Sequence, residues 1–394
     1  MDFDNHPCFN PKLRHSTGRI HLPVAPACNV QCNFCDRRFD CVGESRPGVS
    51  SAVLSPESAA DYLGKVLERV PNISVVGIAG PGDPFANAEQ TLRTMDLVST
   101  RYPDKILCLA TNGVALAEHV GEISRMRVSH VTVTVNAVDP EIASRVYAWV
   151  RHGSRVYRGI DAGNLVVARQ EEAIRLLKEA GLTVKINTVV IPGVNDAHVR
   201  KIAERVASLG ADVQNCIALM NVEGTPFASI TPPDAGEIGA IRLDAGRHLR
   251  QMSHCARCRA DAVGLLGEEN GAIVDALLSE AKGGRPSGDR KYVAVASREG
   301  ILVNQHLGEA TGLWVFGPAD EGYALVDRRP TPAPGDGDGR WEAMADRFSD
   351  CFAILCSGFG PSPARILEAR GLRVLAMEGL IREGAGALLS GRDI

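Results

Sequence analysis

The stretch Pro26-Ala-Cys28-Asn-Val-Gln-Cys32-Asn-Phe-Cys35 places three cysteines at the spacing C-x3-C-x2-C. It directly follows a predicted strand over 20–24, and α/β folds place their functional sites at such strand ends. Three thiolates on one short loop can hold three irons of a [4Fe–4S] cluster, and the loop offers no fourth ligand. The pattern therefore predicts a cluster with one iron open to a small molecule. A zinc ion is the alternative, but zinc prefers four ligands, usually in two separated pairs.

A regular alternation of strands and helices continues from this loop. Predicted strands, rich in β-branched residues and bounded by Gly, Pro or Asn, cover 20–24, 73–79, 106–110, 131–135, 183–190 and 213–219. Helical patterns lie between them, near 57–69, 87–100, 115–126, 168–180 and 196–209. Apolar strands that alternate with helices imply a parallel sheet covered by helices. About six such units can form a partial (β/α) barrel or an open doubly wound sheet, and the pattern alone does not decide between them.

A second α/β region follows a predicted linker. Residues 232–253 form a helical stretch that ends at a cysteine pair, and the segment AKGGRPSGDR, 281–290, has the composition of a linker. We therefore predict a first domain over 1–280, a linker over 281–290 and a second domain over 291–394. In the second domain we predict strands near 291–297, 312–317, 322–327, 352–356 and 372–377, helices near 341–349, 361–370 and 379–389, and a loop at 330–340.

Composition and charge exclude several classes of protein. The 394 residues carry a formal net charge of -4, and no run of like charges is long enough to form a nucleic-acid or membrane-surface patch. The first twenty residues lack the apolar core of a signal peptide, and no apolar stretch approaches the ~20 residues of a spanning helix. The 11 cysteines are odd in number and favour reduced thiolates over disulfides. We expect a cytoplasmic protein that binds neither nucleic acid nor membrane.

The cysteine motif, with an aromatic residue before its last cysteine, resembles the signature of the radical S-adenosylmethionine (SAM) enzymes. The resemblance implies an α/β fold with a partial (β/α)6 radical SAM barrel, in which Cys28, Cys32 and Cys35 hold the cluster. It also implies that the open iron chelates SAM and that one electron cleaves SAM to a 5′-deoxyadenosyl radical. Candidate SAM-binding residues at successive strand ends are Gly80, Gly82 and Asp83 in GPGDP, Asn112 in TNG, and Asn136. Each of these short sequences is also common in ordinary turns.

Further cysteines and one histidine lie outside this motif. They are His6 and Cys8 in an N-terminal arm, Cys41 just past the motif, Cys108 in a predicted strand, and Cys255 and Cys258 in a C-x2-C turn. Jointly they can supply two more clusters with about three protein ligands each. Taken singly, each has another interpretation. The C-x2-C pair also suits a structural zinc or an auxiliary cluster. Cys108 could be a buried apolar thiol, and His6 could be a solvated residue.

This joint pattern resembles the NifB family of radical SAM enzymes, which act in nitrogenase cofactor biosynthesis. The shared segments are spread over residues 6–268 and include HPCF, ESRPG, AGPGDPFAN and HCxxCRADAVGLLGE. The resemblance implies that two [4Fe–4S] clusters are fused into an eight-iron precursor (NifB-co), with a carbide derived from a SAM methyl group and an added sulfur. It implies two sets of ligands for these substrate clusters: His6, Cys8 and Cys108 for one, and Cys41, Cys255 and Cys258 for the other.

Several assignments stay open within this resemblance. His21, on the first strand, is the alternative to His6 as the imidazole ligand, and His254 is a less favoured one. Glu44 is a candidate for catalytic proton handling, but a helix N-cap or an arginine partner suits it equally well. Cys216 lies within a predicted strand and is interpreted as a core thiol.

Residues 291–394 resemble the small cofactor-binding domains of NifX and NafY-type proteins, through VAVAS, the turn NQHLG and DCFAILC. The resemblance implies a ribonuclease-H-like α/β fold that binds the iron–sulfur precursor. In it, His306 is either a transient cluster ligand or a turn histidine capped by the backbone. Cys351 and Cys356 are five residues apart on one strand, which predicts core positions on opposite faces.

The resemblance as a whole implies an enzyme with lyase-like SAM cleavage, methyl transfer and cluster fusion. Its cofactors would be SAM and three [4Fe–4S] clusters, two of them substrates. Its partners would be iron–sulfur cluster donors, a reductant protein and downstream cofactor carriers or scaffolds. Two other functions are a radical SAM enzyme with auxiliary electron-transfer clusters and a non-catalytic iron–sulfur carrier. The scattered cysteines argue against the first of these, and the intact C-x3-C-x2-C motif argues against the second.

Overall fold

The computed structural model describes residues 6–13, 15–44, 51, 53–255, 257–266, 271–281, 290–319, 323–333, 335 and 337–390. The chain divides into two units, Met1–Asp275 and Ala276–Ile394. The division lies inside the helix Ala272–Ala281, just before the predicted linker. Most of that linker, 282–289, lies outside the described residues, as does 45–50, which holds most of the ESRPG segment.

The first unit is organised around a sheet of seven strands. The strands of this unit are β1 (Gly18–His21), β2 (Val30–Cys32), β3 (Ile73–Ile78), β4 (Ile106–Thr111), β5 (Val128–Thr134), β6 (Tyr147–His152), β7 (Arg155–Tyr157), β8 (Thr183–Val190), β9 (Val213–Ala218) and β10 (Val263–Gly264). The order in the sheet is β10-β1-β3-β4-β5-β8-β9. All of these strands pair in parallel except β10, which joins β1 antiparallel. The six parallel strands follow chain order without the reversal of a doubly wound sheet, so the prediction of a partial (β/α)6 barrel is confirmed.

Helices connect successive strands of this half barrel. They are α1 (Pro56–Arg69), α2 (Ala88–Arg101), α3 (Val120–Arg125), α4 (Pro140–Val146), α5 (Gly159–Glu179), α6 (Val199–Ser208), α7 (Ala235–Ala245) and α8 (Ala272–Ala281). α1 begins where its sequence indicates, because the Ser55 hydroxyl accepts the Ser58 N–H at 3.2 Å ahead of the first turn. No helix in the described ranges is long and apolar enough to span a lipid bilayer.

The stretch 232–253 is helical only over α7, so the prediction of one helix that runs to the cysteine pair was wrong. Beyond α7 the chain returns to the sheet. Gln214 on β9 donates its N–H to the Arg250 carbonyl at 2.9 Å, and its carbonyl accepts the Met252 N–H at 2.7 Å. These bonds with β9 replace the last helical turns and bring the following C-x2-C segment beside the sheet.

A short antiparallel hairpin that the sequence did not predict supports the cysteine loop. β6 pairs with β7 on one side and with β2 on the other, so that Cys32 lies opposite Tyr147. Tyr147 and Val150 of the hairpin are buried in the same apolar cluster as Val30 of the loop. β7 has only three residues, none of them buried, and no apolar alternation therefore marks it in the sequence.

The second unit contains a mixed sheet of five strands in the order β14-β13-β11-β15-β16. Its strands are β11 (Tyr292–Val295), β12 (Leu302–Val303), β13 (Gly312–Pro318), β14 (Tyr323–Pro330), β15 (Cys351–Cys356), β16 (Arg373–Ala376) and β17 (Gly379–Leu380). Its helices are α9 (Gly337–Arg347), α10 (Pro361–Ala369) and α11 (Ile381–Leu389). β11, β15 and β16 are parallel, whereas β13 and β14 are antiparallel. The loop predicted at 330–340 is shorter, because α9 already begins at Gly337; positions 334 and 336 lie outside the described residues.

Cys351 and Cys356 occupy the core of this unit, but on the same side of the sheet. Both are fully buried and belong to one apolar cluster with Ile354. The prediction of opposite faces was wrong because the register of β15 with β11 skips Phe352. One extra residue of this kind shifts the alternation of the side chains by one position.

Candidate active site

The loop after β1 carries Cys28, Cys32 and Cys35 in one turn. The Cys35 N–H donates to the Cys32 carbonyl at 3.1 Å, and the Gln31 amide donates to the Cys35 carbonyl at 2.7 Å. Phe34, the aromatic residue of the motif, is 2% exposed and packs in the apolar cluster shared with the hairpin. The aromatic position of the motif thus anchors the loop to the core.

The three thiols of this loop are electrostatic neighbours. Burial raises the pKa of Cys28 to about 12. Burial also raises the pKa of Cys32 well above its usual value, and the sulfurs of Cys35, Cys41 and Cys28 raise it further. Three cysteine sulfurs on one loop fit three irons of a [4Fe–4S] cluster, and iron binding must displace their protons.

The glycine-rich turn after β3 packs directly on this loop. The Gly82 N–H donates to the Ala25 carbonyl at 2.6 Å. A Cβ on Gly82 would lie 2.1 Å from the Ala27 carbonyl oxygen, so only glycine fits there. Gly80 has a φ of 138°, in the left-handed region that favours glycine. The two glycines therefore allow the turn to approach the backbone of the cysteine loop.

Asp83 and Asn112 join this turn to the end of β4. Asp83 is 3% exposed and accepts the Asn112 N–H at 2.6 Å and the Thr111 hydroxyl at 2.9 Å. The Asn112 side-chain nitrogen donates to Asn29 Oδ1 at 2.7 Å and lies 3.8 Å from Cys28 Sγ. Four of the five predicted SAM-binding residues, which are Gly80, Gly82, Asp83 and Asn112, thus lie together beside the cysteine loop.

Asn136, the fifth of these residues, is fully buried and already engaged. Its Oδ1 accepts the Val189 N–H at 2.9 Å, and its Nδ2 donates to the Tyr147 hydroxyl at 3.2 Å. The side-chain amide therefore ties the end of β5 to β8 and to the hairpin. Its contact with SAM stays a prediction.

A cavity inside the half barrel brings together most of the other predicted ligands. Its empty volume is about 800 Å³, open mouth included. Residues of β1, β3, β4, β5, β8 and β9 line it. The predicted site residues in its lining are His6, Cys8, Glu44, Cys108, Cys255 and Cys258, together with the alternative His21. Gly77 leaves room for Cys108, because a Cβ there would lie 2.7 Å from Cys108 Sγ.

His6 is buried in this cavity, and one of its ring nitrogens bonds to the backbone. Its ring lies 4.7 Å from that of His130, and its Nδ1 accepts the Cys8 N–H at 3.1 Å. Among the described residues, Nε2 has no hydrogen-bond partner. Burial lowers the pKa of His6 well below its usual value, so the ring is neutral, as a metal ligand must be. His21 instead uses Nδ1 in a 2.9 Å bond with the Arg259 carbonyl. Because His6 Nδ1 accepts a hydrogen bond, the proton of the neutral ring lies on Nε2, whereas His21 donates from Nδ1 and has an unprotonated Nε2. These contacts do not favour His6 over His21, and the imidazole ligand stays a prediction.

Four sulfurs share the electrostatics of the cavity. Burial raises the pKa of Cys8 to about 12; Lys185 opposes this shift, and Cys258 and Cys255 add to it. Burial likewise raises the pKa of Cys108 to about 12, and Cys8 adds to that shift. Across the described part of the chain, no three His, Cys, Asp or Glu side chains are arranged to share a single metal ion.

Cys41 lies at the cysteine loop rather than in the lining of the cavity. Its N–H donates to the Pro81 carbonyl at 2.8 Å. Burial raises the pKa of Cys41 well above its usual value, and Cys35 and Cys28 raise it further. The three residues that follow, 42–44, do line the cavity. Cys41 thus stands at the border of the cavity, and its place in a cluster with the C-x2-C pair stays a prediction.

Glu44 is buried in the cavity wall. It accepts the Asn187 side-chain amide at 2.9 Å and the Thr134 hydroxyl. Burial raises the pKa of Glu44 to about 7, and Lys185 opposes that rise. Its contacts in the described residues include neither a helix N-terminus nor an arginine. Proton handling stays a prediction for this residue.

The cavity also contains residues that the sequence analysis missed, namely Arg19, His130 and Lys185. Lys185 on β8 is 8% exposed. Burial alone would lower the pKa of Lys185, but Cys8 and further acidic groups around it raise the pKa instead. A charged residue inside an otherwise apolar strand, as in GRIHL and TVKINTVV, is the signal that would have found Arg19 and Lys185.

The structure gives contacts for three residues whose roles the sequence leaves open, which are Cys216, His254 and His306. Cys216 is fully buried on β9, as expected for a core thiol. His254 Nε2 lies 3.1 Å from the Pro7 carbonyl. In the second unit, His306 is exposed and its Nδ1 accepts the Gly308 N–H at 3.1 Å. This bond is typical of a turn, and the ligand role of His306 stays a prediction.

Comparison with known proteins finds relatives along the whole chain. Residues 22–206 match the Radical SAM superfamily, and residues 289–391 match the family described as Dinitrogenase iron-molybdenum cofactor. FeMo cofactor biosynthesis protein NifB of Chlorobaculum tepidum is 49% identical over 398 residues, which cover 100% of this chain and 94% of that protein. Its counterpart in Klebsiella pneumoniae is 39% identical over 93% of this chain and 86% of that protein. Among solved structures, methylornithine synthase is similar with a TM-score of 0.41, at 13% identity over 70% of this chain and 84% of that one.

Proposed function

This chain belongs to the NifB family of radical SAM proteins, and on that premise we propose a specific reaction for it. The enzyme fuses two [4Fe–4S] clusters, which are its substrates, into the eight-iron precursor of the nitrogenase cofactor. A methyl group of SAM becomes the central carbide, and one further sulfur is added. The reaction therefore combines SAM cleavage, methyl transfer and cluster fusion in one enzyme.

The observation that carries this proposal is the shared cavity. Cys8, Cys108, Cys255 and Cys258 line one cavity together with His6. Clusters that only relay electrons need no common cavity, whereas two clusters that fuse must lie side by side. Three protein ligands per cluster also leave one iron uncapped, which suits a substrate that must finally leave.

Cys28, Cys32 and Cys35 would hold the resident cluster, which supplies the electron that cleaves SAM to a 5′-deoxyadenosyl radical. The chain's own residues provide the place for SAM. The turn that contains Gly82 lies on the cysteine loop, and Asn112 lies beside Cys28. Both are at the ends of neighbouring parallel strands, where α/β barrels bind their ligands.

Glu44 and Lys185 are the groups that manage protons and charge in the cavity. Conversion of a methyl group into a carbide releases hydrogen, part of it as protons. A carboxylate with a pKa of about 7 can accept such a proton at neutral pH and release it again. The Lys185 ammonium compensates the negative charge of thiolate-bound clusters, since ion pairing is strong away from water.

The second unit, Ala276–Ile394, would bind the finished precursor until a downstream carrier or scaffold protein takes it. The match of 289–391 to the family described as Dinitrogenase iron-molybdenum cofactor supports this role. The proposal further requires iron–sulfur cluster donors and a reductant protein, because the enzyme must be loaded with clusters and supplied with electrons.

Cysteine variants of the full chain test this proposal under anoxic conditions. Cys32→Ala should abolish formation of 5′-deoxyadenosine while the electron paramagnetic resonance (EPR) signals of the other clusters persist. Cys255→Ala should retain SAM binding but stop precursor formation. Cys216→Ala, which changes a buried sulfur outside the cavity lining, is the matched control and should retain both.

Two outcomes would favour the alternative functions, which are a radical SAM enzyme with auxiliary clusters and a non-catalytic iron–sulfur carrier. A wild-type protein that forms 5′-deoxyadenosine while all its clusters survive and no precursor appears would point to a radical SAM enzyme with auxiliary clusters. A wild-type protein that forms no 5′-deoxyadenosine with dithionite and SAM would point to a non-catalytic carrier.

A further inference from the structure

The Arg19 side chain bridges β10 and the second cysteine of the C-x2-C segment. Arg19 lies on β1, is 2% exposed and lines the cavity. Its Nη1 donates to the carbonyls of Gly264 at 2.5 Å and Leu265 at 2.8 Å. Its Nη2 and Nε lie 3.1 and 3.3 Å from Cys258 Sγ. Two nitrogens of one planar guanidinium thus point to one sulfur.

Among the residues that the structure describes, the charge of Arg19 has no other anionic partner. Within the part of the chain that the structure describes, no carboxylate forms an ion pair with its guanidinium. Burial of an unpaired charge is costly, and two neutral carbonyls do not neutralise it. The sulfur of Cys258 is therefore the place where the compensating negative charge belongs, as a thiolate bound to an anionic cluster.

Among the cysteines of the cavity that the structure describes, Cys258 is distinguished by the side-chain N–H groups of Arg19 beside its sulfur. Among the described contacts, no side-chain N–H group donates to the sulfur of Cys8 or Cys108. Cys255 is exposed, and no such donor is described for it either. The arginine thus acts on one ligand of one cluster.

We propose that Arg19 is a positioning residue for the cluster bound at Cys258, which holds the ligand sulfur in place and raises the reduction potential of that cluster. The inference rests on the proposed function, in which Cys255 and Cys258 hold a substrate cluster. Hydrogen bonds to ligand sulfurs are one of the factors that set cluster potentials. A nearby cation also favours the reduced cluster, which carries one more negative charge. Only arginine can bridge both carbonyls and the sulfur, because lysine lacks the planar fork.

The first test is a potentiometric EPR titration of the anoxically loaded full-length protein. In Arg19→Gln, the reduction potential of one cluster component should fall by at least about 59 mV. For a one-electron couple this equals a tenfold change in the oxidised-to-reduced ratio at a fixed potential. Arg19→Lys should shift the same component less, because the charge remains. Arg242→Lys is the matched control, since Arg242 bonds the Cys216 carbonyl and lies outside the cavity lining.

The second test uses the unaltered protein and does not depend on how the variants fold. With 15N-labelled arginine, electron–nuclear double resonance of the reduced protein should detect a nitrogen and exchangeable protons coupled to one of the two substrate clusters, in addition to any coupling of the resident cluster to Arg37, which bonds Cys35. Absence of this coupling, or no component that moves further in Arg19→Gln than in the control, would overturn the role of Arg19.

The proposed function and the role of Arg19 can fail separately. If Cys258→Ala leaves the iron content and the EPR components of the protein unchanged, no cluster is bound there, and the proposed function fails together with this inference. If Cys258→Ala removes a cluster whose potential and couplings are independent of Arg19, only this inference fails.

Discussion

Replacement of Glu44 by glutamine should change how the stability of the first unit depends on pH. Burial raises the pKa of this carboxyl group from 4.5 to about 7 in the folded protein. Below about pH 4.5 the group is protonated in both the folded and the unfolded state, so the folded state loses nothing. Between about pH 4.5 and pH 7 the unfolded state ionises while the folded state keeps its proton, so stability is lost, and the loss is complete above about pH 7. A rise from 4.5 to about 7, at about 1.4 kcal/mol for each pH unit, amounts to about 3 kcal/mol.

Glutamine reproduces the protonated carboxyl group in this site. Its carbonyl can accept the Asn187 amide, and its NH2 group can donate to the Thr134 hydroxyl, which are the contacts of Glu44 itself. Because part of the loss has already occurred at pH 5, the variant should gain about 2.5 kcal/mol over the wild type between pH 5 and pH 8. Denaturant unfolding of the reduced, metal-free protein at these two pH values measures the gain.

The exposed residue Glu68 on α1 provides the matched control, because Glu68→Gln removes the same charge from a solvated helix face. This control should show no comparable gain. A stability difference between Glu44→Gln and the wild type that is the same at pH 5 and pH 8 would refute the argument, because it would mean that the folded protein does not hold this proton.

Two further predictions concern the cysteine loop and the second unit. Gly82→Ala should displace the loop, since the added Cβ would lie 2.1 Å from the Ala27 carbonyl oxygen; such overpacking costs about 1–3 kcal/mol, and both the melting temperature and SAM cleavage should fall. Gly239→Ala, with no atom within 4 Å of the added Cβ, should melt at or above the wild-type temperature, and equal behaviour of the two variants would contradict the steric argument. Deletion of 285–394 should leave SAM cleavage intact and impair only transfer of the precursor to an acceptor protein, so a truncated protein without 5′-deoxyadenosine formation would contradict the division of labour between the units.

Much of the fold could be predicted because its signals are local. The strand over 183–190 is an apolar, β-branched run, and β8 has these bounds. The hairpin of β6 and β7 lacked such a signal, since both strands are short and only two of their residues are buried. The register of β15 could not be predicted either, because the skipped Phe352 reflects the pairing with β11 and not the sequence of β15 alone.

The candidate site was predictable where residues stand close together in sequence. The C-x3-C-x2-C loop and the GPGDP turn are such cases, because the backbone of a few residues defines each one. Arg19 and Lys185 were missed because their significance depends on neighbours from distant strands. Cys41 shows the same limit, since the fold places it at the cysteine loop, whereas the resemblance groups it with the C-x2-C pair.

The fate of the clusters during turnover shows whether the enzyme fuses two of them. The wild-type protein, loaded with 57Fe under anoxic conditions, should contain about twelve irons as three [4Fe–4S] clusters in its Mössbauer spectrum. After addition of SAM and dithionite, the signals of two clusters should disappear irreversibly and an eight-iron species should replace them, while the third cluster remains. Survival of all three clusters alongside continued 5′-deoxyadenosine formation would contradict the account.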